Sequence, residues 1–388
     1  MDNQFFSTLC IHAGEEPDKA TGAIAPVLVR SKTFAQEFGI ESEFQYSRGK
    51  NPTREQLAKK LAILENGKYA TIYSSGIAAE AAFFFSLSPG DHVLCCQEVY
   101  GGTFRLLEEL LIRFNITADY VDFSKEETIV ASIKPNTKYL FVETPTNPSL
   151  HIIDMELVAR VSKRTGIPFV VDSTFSPPCT TKPLDYGAKV VIQSLSKYIA
   201  GHNDVLAGAL ITSDLELHEK FYFLFRTMGA ILSPDECYRV LQGVKTLSMR
   251  WDRVSSTAQV IAEMLTKIPQ VDTVYYPGLK THPNHLIAKK QMTSGYGGVV
   301  SFTLKDEYHC KIKEFVTAIT SNSHIVYAES LASPETILAY PPLMSHKSVP
   351  RDVRIELGIT DGFFRLSIGF EDPFDISRGL MFGFDSLT

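Results

Sequence analysis

The chain has 388 residues, 44% of them hydrophobic and 21% charged, which gives enough apolar surface for a large core spread over two domains and excludes a disordered composition. A formal net charge of -6 with no cationic run excludes nucleic acid as the main partner, because holding a phosphate backbone calls for a basic surface. The longest apolar run, at 78–87, is interrupted by Glu80 and falls well short of the about 20 residues that a membrane-crossing helix needs.

The first residues, MDNQFFSTLCIHAGEE, carry acids where a secretory signal needs a basic region followed by an apolar run, so a cytoplasmic protein is expected. Residues 1–53 show no sustained period and read as an extended arm that packs on a neighbouring subunit. From 54 to 64 the leucines Leu57, Leu61 and Leu64 fall on one helical face, stopped by Asn66-Gly67. Short apolar strands then alternate with helical stretches, the strands being predicted at 92–96, 118–123, 139–143, 169–172, 189–193 and 207–212. This alternation predicts an α/β fold, a mostly parallel sheet with helices on both faces, over a large domain at 54–245. One long helix is predicted from Pro234 to about residue 267, opened by a first-turn proline and by Asp235 and Glu236. Strands at 299–304 and 364–368 with a helix at 311–320 predict a smaller α/β domain at 246–388.

Six cysteines, at 10, 95, 96, 179, 237 and 310, show no C-x-x-C pair and read as buried small hydrophobes in a reducing compartment. His282 and His285, in HPNH, have no third ligand at sensible spacing and read as loop residues, with no metal expected. The glycines of GYGG at 295–298 lack the strand-before, helix-after setting of a dinucleotide fingerprint and predict a tight turn before a strand.

Ligands of a doubly wound sheet bind beyond the carboxyl ends of its strands. Three neighbouring predicted strands end there on polar residues: Glu143 followed by TPTNP, Asp172 followed by Ser-Thr, and Ser194-Leu195-Ser196-Lys197. A lysine at the end of a strand as apolar as VVIQ loses hydration, which costs several kcal/mol unless its pKa falls or it is paired. Such an amine is suited to a Schiff base, and an aspartate that can hold a pyridinium proton is its usual companion in pyridoxal phosphate sites. Ser75-Gly76, opening an alanine-rich helix, offers backbone amides and a positive helix end to a phosphate.

Ordered segments along nearly the whole chain carry a resemblance: IHAG at 11–14, YSRGKNPTR at 46–54, SSGIAA at 74–79, VYGGT at 99–103, ETPTNP at 143–148, VVDSTF at 170–175, SLSKYIAGHNDV at 194–205, LSPDE at 232–236, GVKTL at 243–247, YPGLKTHPNH at 276–285, GYGGVVSF at 295–302, AESL at 328–331 and RLSIGFED at 365–372. By these the chain resembles the Cys/Met-metabolism, or trans-sulfuration, family of pyridoxal phosphate enzymes, with the aspartate-aminotransferase-like fold. The resemblance implies that Lys197 carries the coenzyme as a Schiff base, that Asp172 holds the pyridine nitrogen, and that Tyr100 stacks on the ring and transfers protons. It implies that Ser75, Gly76, Ile77, Ser194 and Ser196 hold the phosphate, joined by Tyr46 and Arg48 of a neighbouring subunit in a homotetramer. Arg365, Asn147 and the backbone at Ser330 would take the substrate α-carboxylate, for which a planar guanidinium is suited.

The implied activity is γ-elimination or γ-replacement on a sulfur amino acid or activated homoserine. Glu329 and Arg105 resemble residues of enzymes that handle cystathionine, and Gly102 stands where methionine γ-lyases commonly have cysteine, which favours cystathionine γ-lyase or γ-synthase. An O-acylhomoserine sulfhydrylase, a specialised γ-replacement enzyme, a methionine γ-lyase and a non-catalytic binding paralogue are the alternatives. The departures from the family pattern are Ser196 for threonine, Gln45 for an acid, Ile77 for methionine, Gln242 and Val254 for basic residues, and Ala332-Ser333 for two glycines. Alanine and serine resist the backbone path that glycine permits, so this last departure predicts an altered substrate loop.

Overall fold

The structure, a computed structural model, describes residues 5–345, 347 and 351–388. Two sheets organise it. The first has seven strands, β1 (Tyr69–Tyr73), β2 (His92–Cys96), β3 (Thr117–Val121), β4 (Thr137–Glu143), β5 (Phe169–Asp172), β6 (Val190–Ser194) and β7 (Gly208–Thr212), in the order β1-β7-β6-β5-β4-β2-β3. All neighbours from β6 to β3 run parallel, while β7 is antiparallel to both β1 and β6. The second sheet has five strands, β8 (Val271–Tyr275), β9 (Val299–Leu304), β10 (Val326–Tyr327), β11 (Ile337–Ala339) and β12 (Phe363–Ser367), in the order β10-β11-β12-β9-β8. The chain is thus the expected α/β protein with a mostly parallel central sheet and a smaller second sheet.

The strands predicted at 92–96, 169–172 and 299–304 coincide with β2, β5 and β9, and the others shift by one or two residues. β2 and β5 are buried along their whole length, as continuous apolar runs in a parallel sheet must be. The arm is irregular as predicted except for a short helix, α1 (Phe6–His12), whose Cys10 enters the core. Helix α2 (Pro52–Leu64) starts on Asn51, whose side chain accepts from the amides of Thr53 and Arg54, and carries Leu57, Leu61 and Leu64 into the core.

The predicted single helix beyond Pro234 is two helices, Pro234–Lys245 and Leu247–Leu265, joined at Thr246. Arg250 stabilises the break: its Nε donates to Thr246 Oγ1 at 3.0 Å and one Nη to the Gly243 carbonyl at 2.7 Å. The same guanidinium also donates to the carbonyls of Tyr198 and Ile199, at 2.7 and 3.2 Å. These contacts are distant in sequence, so helical periodicity could not report them. Of the cysteines, five are buried as expected; Cys310 is exposed, which corrects the reading of all six as core residues. His282 is buried and its Nδ1 accepts from the Asn284 amide, while His285 Nδ1 meets the Pro277 carbonyl at 2.8 Å. Gly295 and Gly297 have φ of +80 and +87° just before β9, the predicted turn.

Beneath β6 lies a buried acid and amide pair. Gln193 Nε2 donates to Glu65 Oε1 at 2.8 Å, and Glu65 Oε2 and Gln193 Oε1 are both buried without a partner, which a proton on Glu65 would join. Burial pushes this carboxyl from 4.5 up to about 8. Between those two values the folded chain holds a proton that the unfolded chain has lost. The stabilisation is therefore complete below pH 4.5 and is lost as pH rises through about 8, at about 1.4 kcal/mol per pH unit. Glu65→Gln keeps both hydrogen bonds without the titration, so its denaturation midpoint should fall less between pH 5 and pH 8 than that of the parent; parallel profiles would refute the pairing.

Candidate active site

The carboxyl ends of β4, β5 and β6 lie side by side, with Glu143 paired with Asp172 and Asp172 with Ile192. Register alone therefore brings the three predicted polar strand ends into one crevice. Lys197 follows β6 in a turn and is mostly buried. Its Nζ donates to Ser330 Oγ at 2.7 Å. Burial first, then the positive charge of Arg365, brings its pKa down to about 8, against the opposing pull of Glu329. The expectation of a desolvated lysine at this strand end is met.

Asp172 is 6% exposed, and its Oδ1 accepts from the Thr174 amide at 2.9 Å. Glu80, on helix α3 (Gly76–Phe84), lies close enough for the two carboxyl groups to influence each other's titration. Glu80 is buried and accepts from Thr103 Oγ1 at 2.6 Å. Glu143 is buried and accepts from the Tyr100 amide at 2.6 Å. Burial and the neighbouring carboxylates drive Glu80 and Glu143 well above the ordinary carboxyl range. Burial also raises Asp172, while the bonds from Thr174 act in the other direction.

Tyr100 precedes the short helix α4 (Gly101–Arg105) and keeps 42% of its surface exposed. Its ring rests over Gly102, where a Cβ would lie 2.3 Å from Cε1, so any larger residue there displaces the ring. Burial, then Glu80, raises its phenol, while Arg105 lowers it and Glu329 raises it. Arg105 and Glu329 are both exposed and near enough to Tyr100 for their charges to be felt there.

The amino end of α3 lies beside β6. Ser75 caps it, its Oγ accepting from the Ala78 amide at 3.1 Å, which leaves the hydroxyl proton free to donate. A Cβ on Gly76 would lie 2.8 Å from Cβ of Ser194, so only glycine lets the helix end come this near the strand. Ile77 in the first turn is 38% exposed. Ser194 donates its amide to Thr174 Oγ1 at 2.9 Å. Ser196 is differently engaged: its hydroxyl donates to the Ala207 carbonyl at 3.2 Å and accepts from the Ala207 amide at 2.9 Å.

Arg365, on β12, is buried and donates to Asn147 Oδ1 and to the Ser330 carbonyl, each at 2.7 Å. Its Nε is buried without a partner, and among the described residues no carboxylate lies within ion-pair distance of it. Burial lowers its pKa to about 10. A desolvated guanidinium with two arms fixed and no counter-ion is prepared for an anion from outside. The loop leading to it has Ser330 at φ +85° and Ala332 at φ +63°. Ala332 thus takes the left-handed path that was expected to need glycine, at a cost of about 1–2 kcal/mol, and the bond from its amide to Ser367 Oγ at 2.9 Å helps to hold it there.

Tyr46 and Arg48, like Ser196, have other partners within this chain. Arg48 donates to the Arg226 carbonyl at 3.3 Å and its guanidinium lies 5.6 Å from the centre of the Tyr46 ring.

A family model described as "Cys/Met metabolism PLP-dependent enzyme" matches residues 7–385. The chain belongs to this family. It is 40% identical to the cystathionine gamma-lyase of Bacillus subtilis (strain 168) over 371 residues, covering 95% of this chain and 96% of that one. It is 41% identical to the cystathionine beta-lyase of Lactococcus lactis subsp. cremoris (strain MG1363) over 365 residues, 94% of each. The structure of cystathionine gamma synthase from Xanthomonas oryzae pv. oryzae, in complex with aminoacrylate and cysteine, superposes with a TM-score of 0.94 at 34% identity, covering 99% of both chains. As a member of the Cys/Met metabolism family the chain is a pyridoxal phosphate-dependent enzyme of trans-sulfuration, acting on carbon-sulfur bonds.

The crevice fits that coenzyme: a lysine of lowered pKa, a buried carboxyl group at the end of the neighbouring strand, and a helix amino end brought close by Gly76. Two features escaped the sequence reading. Arg250 fastens the turn after Lys197 through the Tyr198 and Ile199 carbonyls, and nothing local in the sequence indicates it. Glu80 was noticed only as an interruption of an apolar run; a lone acid in a buried helix is itself the signal that it has a partner.

Proposed function

We propose that this chain cleaves the Cγ–S bond of cystathionine, taking up water and releasing cysteine, 2-oxobutanoate and ammonia. The observation that carries the reading is the convergence on one crevice of Lys197, Tyr100 and the anion-free Arg365, with Glu329 near enough for its charge to be felt there. In this reading Arg365, fixed by Asn147 and the Ser330 carbonyl, takes the substrate α-carboxylate. Glu329 faces the distal ammonium of the long substrate, with Arg105 beside it. Lys197 removes the proton at Cα and then one at Cβ, so that the Cγ–S bond can break; Tyr100 aids proton transfer to the leaving sulfur, and the double bond left between Cβ and Cγ is protonated at Cγ before water releases the keto acid and ammonia.

Pyridoxal phosphate, when bound, supplies the electron sink for the carbanion at Cα. Asp172 would hold its pyridine nitrogen, and Ser75, Gly76, Ile77, Ser194 and Ser196 its phosphate, Ser196 once its hydroxyl turns from Ala207. Tyr46 and Arg48 would complete the site of a paired subunit within a homotetramer. The exposure of Ile24, Phe38 and Ile40 along the arm, at 83, 105 and 57%, supports such a pairing, since apolar side chains spread on one surface favour a partner. The free cysteines suit the cytoplasm.

A second reading, β-elimination of cystathionine to homocysteine, pyruvate and ammonia, is favoured by the 41% identity to a beta-lyase; it was not among the alternatives drawn from the sequence. Incubation with cystathionine alone separates the two: 2-oxobutanoate is expected, and pyruvate with homocysteine would replace the proposal. Faster reaction of O-acetylhomoserine with cysteine or with sulfide would move the assignment to a synthase or a sulfhydrylase. Glu329→Ala should lower kcat/KM for cystathionine about tenfold, the effect of one charge-assisted contact of about 1.4 kcal/mol. Shorter substrates without the distal ammonium should be little affected.

A further inference from the structure

Glu98 lies between β2 and α4, just before Tyr100, and its side chain is only 12% exposed. Its carboxylate grips the loop 146–151 that follows β4. One oxygen meets His151 Nδ1 at 2.6 Å, and the other accepts from Thr146 Oγ1 at 3.0 Å and from Ser149 Oγ. Burial alone would raise this carboxyl, but these bonds outweigh it and hold it below its ordinary range. The loop also closes on itself: the His151 amide donates to Thr146 Oγ1 at 3.1 Å, and the Leu150 amide to the Thr146 carbonyl at 3.0 Å. Leu150, buried between two residues that Glu98 holds, has φ +59°, a left-handed path that a bulky residue keeps only where its neighbours enforce it. Asn147 lies inside this loop, and its Oδ1 accepts from Arg365 at 2.7 Å. The acid thus fixes the loop that presents Asn147 to Arg365.

We propose that Glu98 is a positioning residue for substrate recognition: by holding Thr146, Ser149 and His151 it sets the place of Asn147 Oδ1, and through it the direction in which Arg365 presents its guanidinium. The proposal rests on the reading of Arg365 as the α-carboxylate site and adds a residue to it. Arg365 has one nitrogen on the Ser330 carbonyl and another on Asn147. Once Asn147 moves freely, the guanidinium turns about the remaining contact, and its orientation must be fixed again when a carboxylate arrives. Ser301 Oγ still holds the Pro148 carbonyl at 2.7 Å and Asn284 Oδ1 the Ile152 amide at 3.2 Å, so removing the acid loosens the loop without releasing it. The Tyr100 amide is held separately, by Glu143 at 2.6 Å. The loss therefore falls on binding and not on the chemical step.

The test compares the parent holoenzyme with its Glu98→Ala, Glu98→Gln and His151→Ala variants. Glu98→Ala should raise KM for cystathionine about tenfold, as for one lost bond to a charged group, with kcat within about twofold of the parent. Glutamine still accepts the two hydroxyls and can donate to the imidazole, so Glu98→Gln should recover most of the loss. His151→Ala removes one donor and keeps the two hydroxyls, and should raise KM about threefold. L-Alanine and methylamine, titrated separately and read by the absorbance of the bound coenzyme, isolate the carboxylate. The Kd of L-alanine should weaken about tenfold in Glu98→Ala, while that of methylamine, which has no carboxylate, should not change. Equal weakening of both ligands, no weakening of L-alanine, a fall in kcat at unchanged KM, or no recovery in Glu98→Gln would each overturn the proposal. If Glu98→Ala does not fold, the same pair of titrations on His151→Ala decides. A parent that binds L-alanine but leaves cystathionine intact overturns the proposed reaction alone, since L-alanine still reports on Glu98. An Arg365→Ala variant that binds L-alanine as tightly as the parent overturns the carboxylate reading and this proposal together.

Discussion

Lys197→Ala should leave a folded chain whose turnover of cystathionine is lower by at least about a thousandfold, the upper part of the range for a lost acid-base group. The amine is asked to do two things, to bond an aldehyde and to carry protons along the substrate, and alanine can do neither. Borohydride treatment of the parent followed by digestion should leave the coenzyme on the peptide that contains Lys197, and the variant should carry no tag. A tag on another lysine would end the proposal. The pH dependence gives a finer check. With its pKa near 8, lowered first by burial and then by Arg365, the free amine of the apoprotein should capture pyridoxal phosphate faster as pH rises through about 8. Removing Arg365 takes away a positive charge and should move this midpoint up; removing Glu329 takes away a negative charge and should move it down.

Arg365→Ala should lower kcat/KM for cystathionine by about a hundredfold or more, about 3 kcal/mol, because the substrate carboxylate then enters a buried site without its counter-ion. Arg365→Lys should recover little of this. The guanidinium bonds Asn147 Oδ1 and the Ser330 carbonyl through two different nitrogens and still has Nε in reserve, whereas an ammonium is a point charge that cannot span both partners. In both variants the coenzyme should remain bound and coloured, since neither contact of Arg365 involves Asp172 or the α3 end. Loss of colour together with activity would mean that Arg365 supports the fold and not the substrate.

The sequence made the strand ends legible because burial on both faces leaves a continuous apolar run and the polar residue that follows it is abrupt. Asp172 and Lys197 were visible for this reason, and β2, β5 and β9 were placed to the residue. β1 was not, since Tyr69–Tyr73 pairs with Gly208–Thr212 far along the chain and its short run merges with the serines before α3. The clamp on Tyr198 depends on Arg250, whose partner there is brought to it only by folding, and the division of the helix at Thr246 rests on polar contacts of the same arginine that a hydrophobic period does not register. The loop at Ala332 was read as unusual in composition; in the structure Ala332 takes a left-handed conformation, and a buried hydrogen bond to Ser367 offsets the reluctance of alanine.

Arg365 stands on the smaller sheet, while Asn147 follows β4 of the larger one, and close by Ser301 Oγ of β9 donates to the Pro148 carbonyl at 2.7 Å. On the proposed reading, recognition of the amino acid would be built across the seam between the two halves of the molecule, whereas the groups suited to the coenzyme belong almost entirely to one half. A ligand whose carboxylate occupies that arginine also acts as a rivet, so catching the substrate and stiffening the joint are one event.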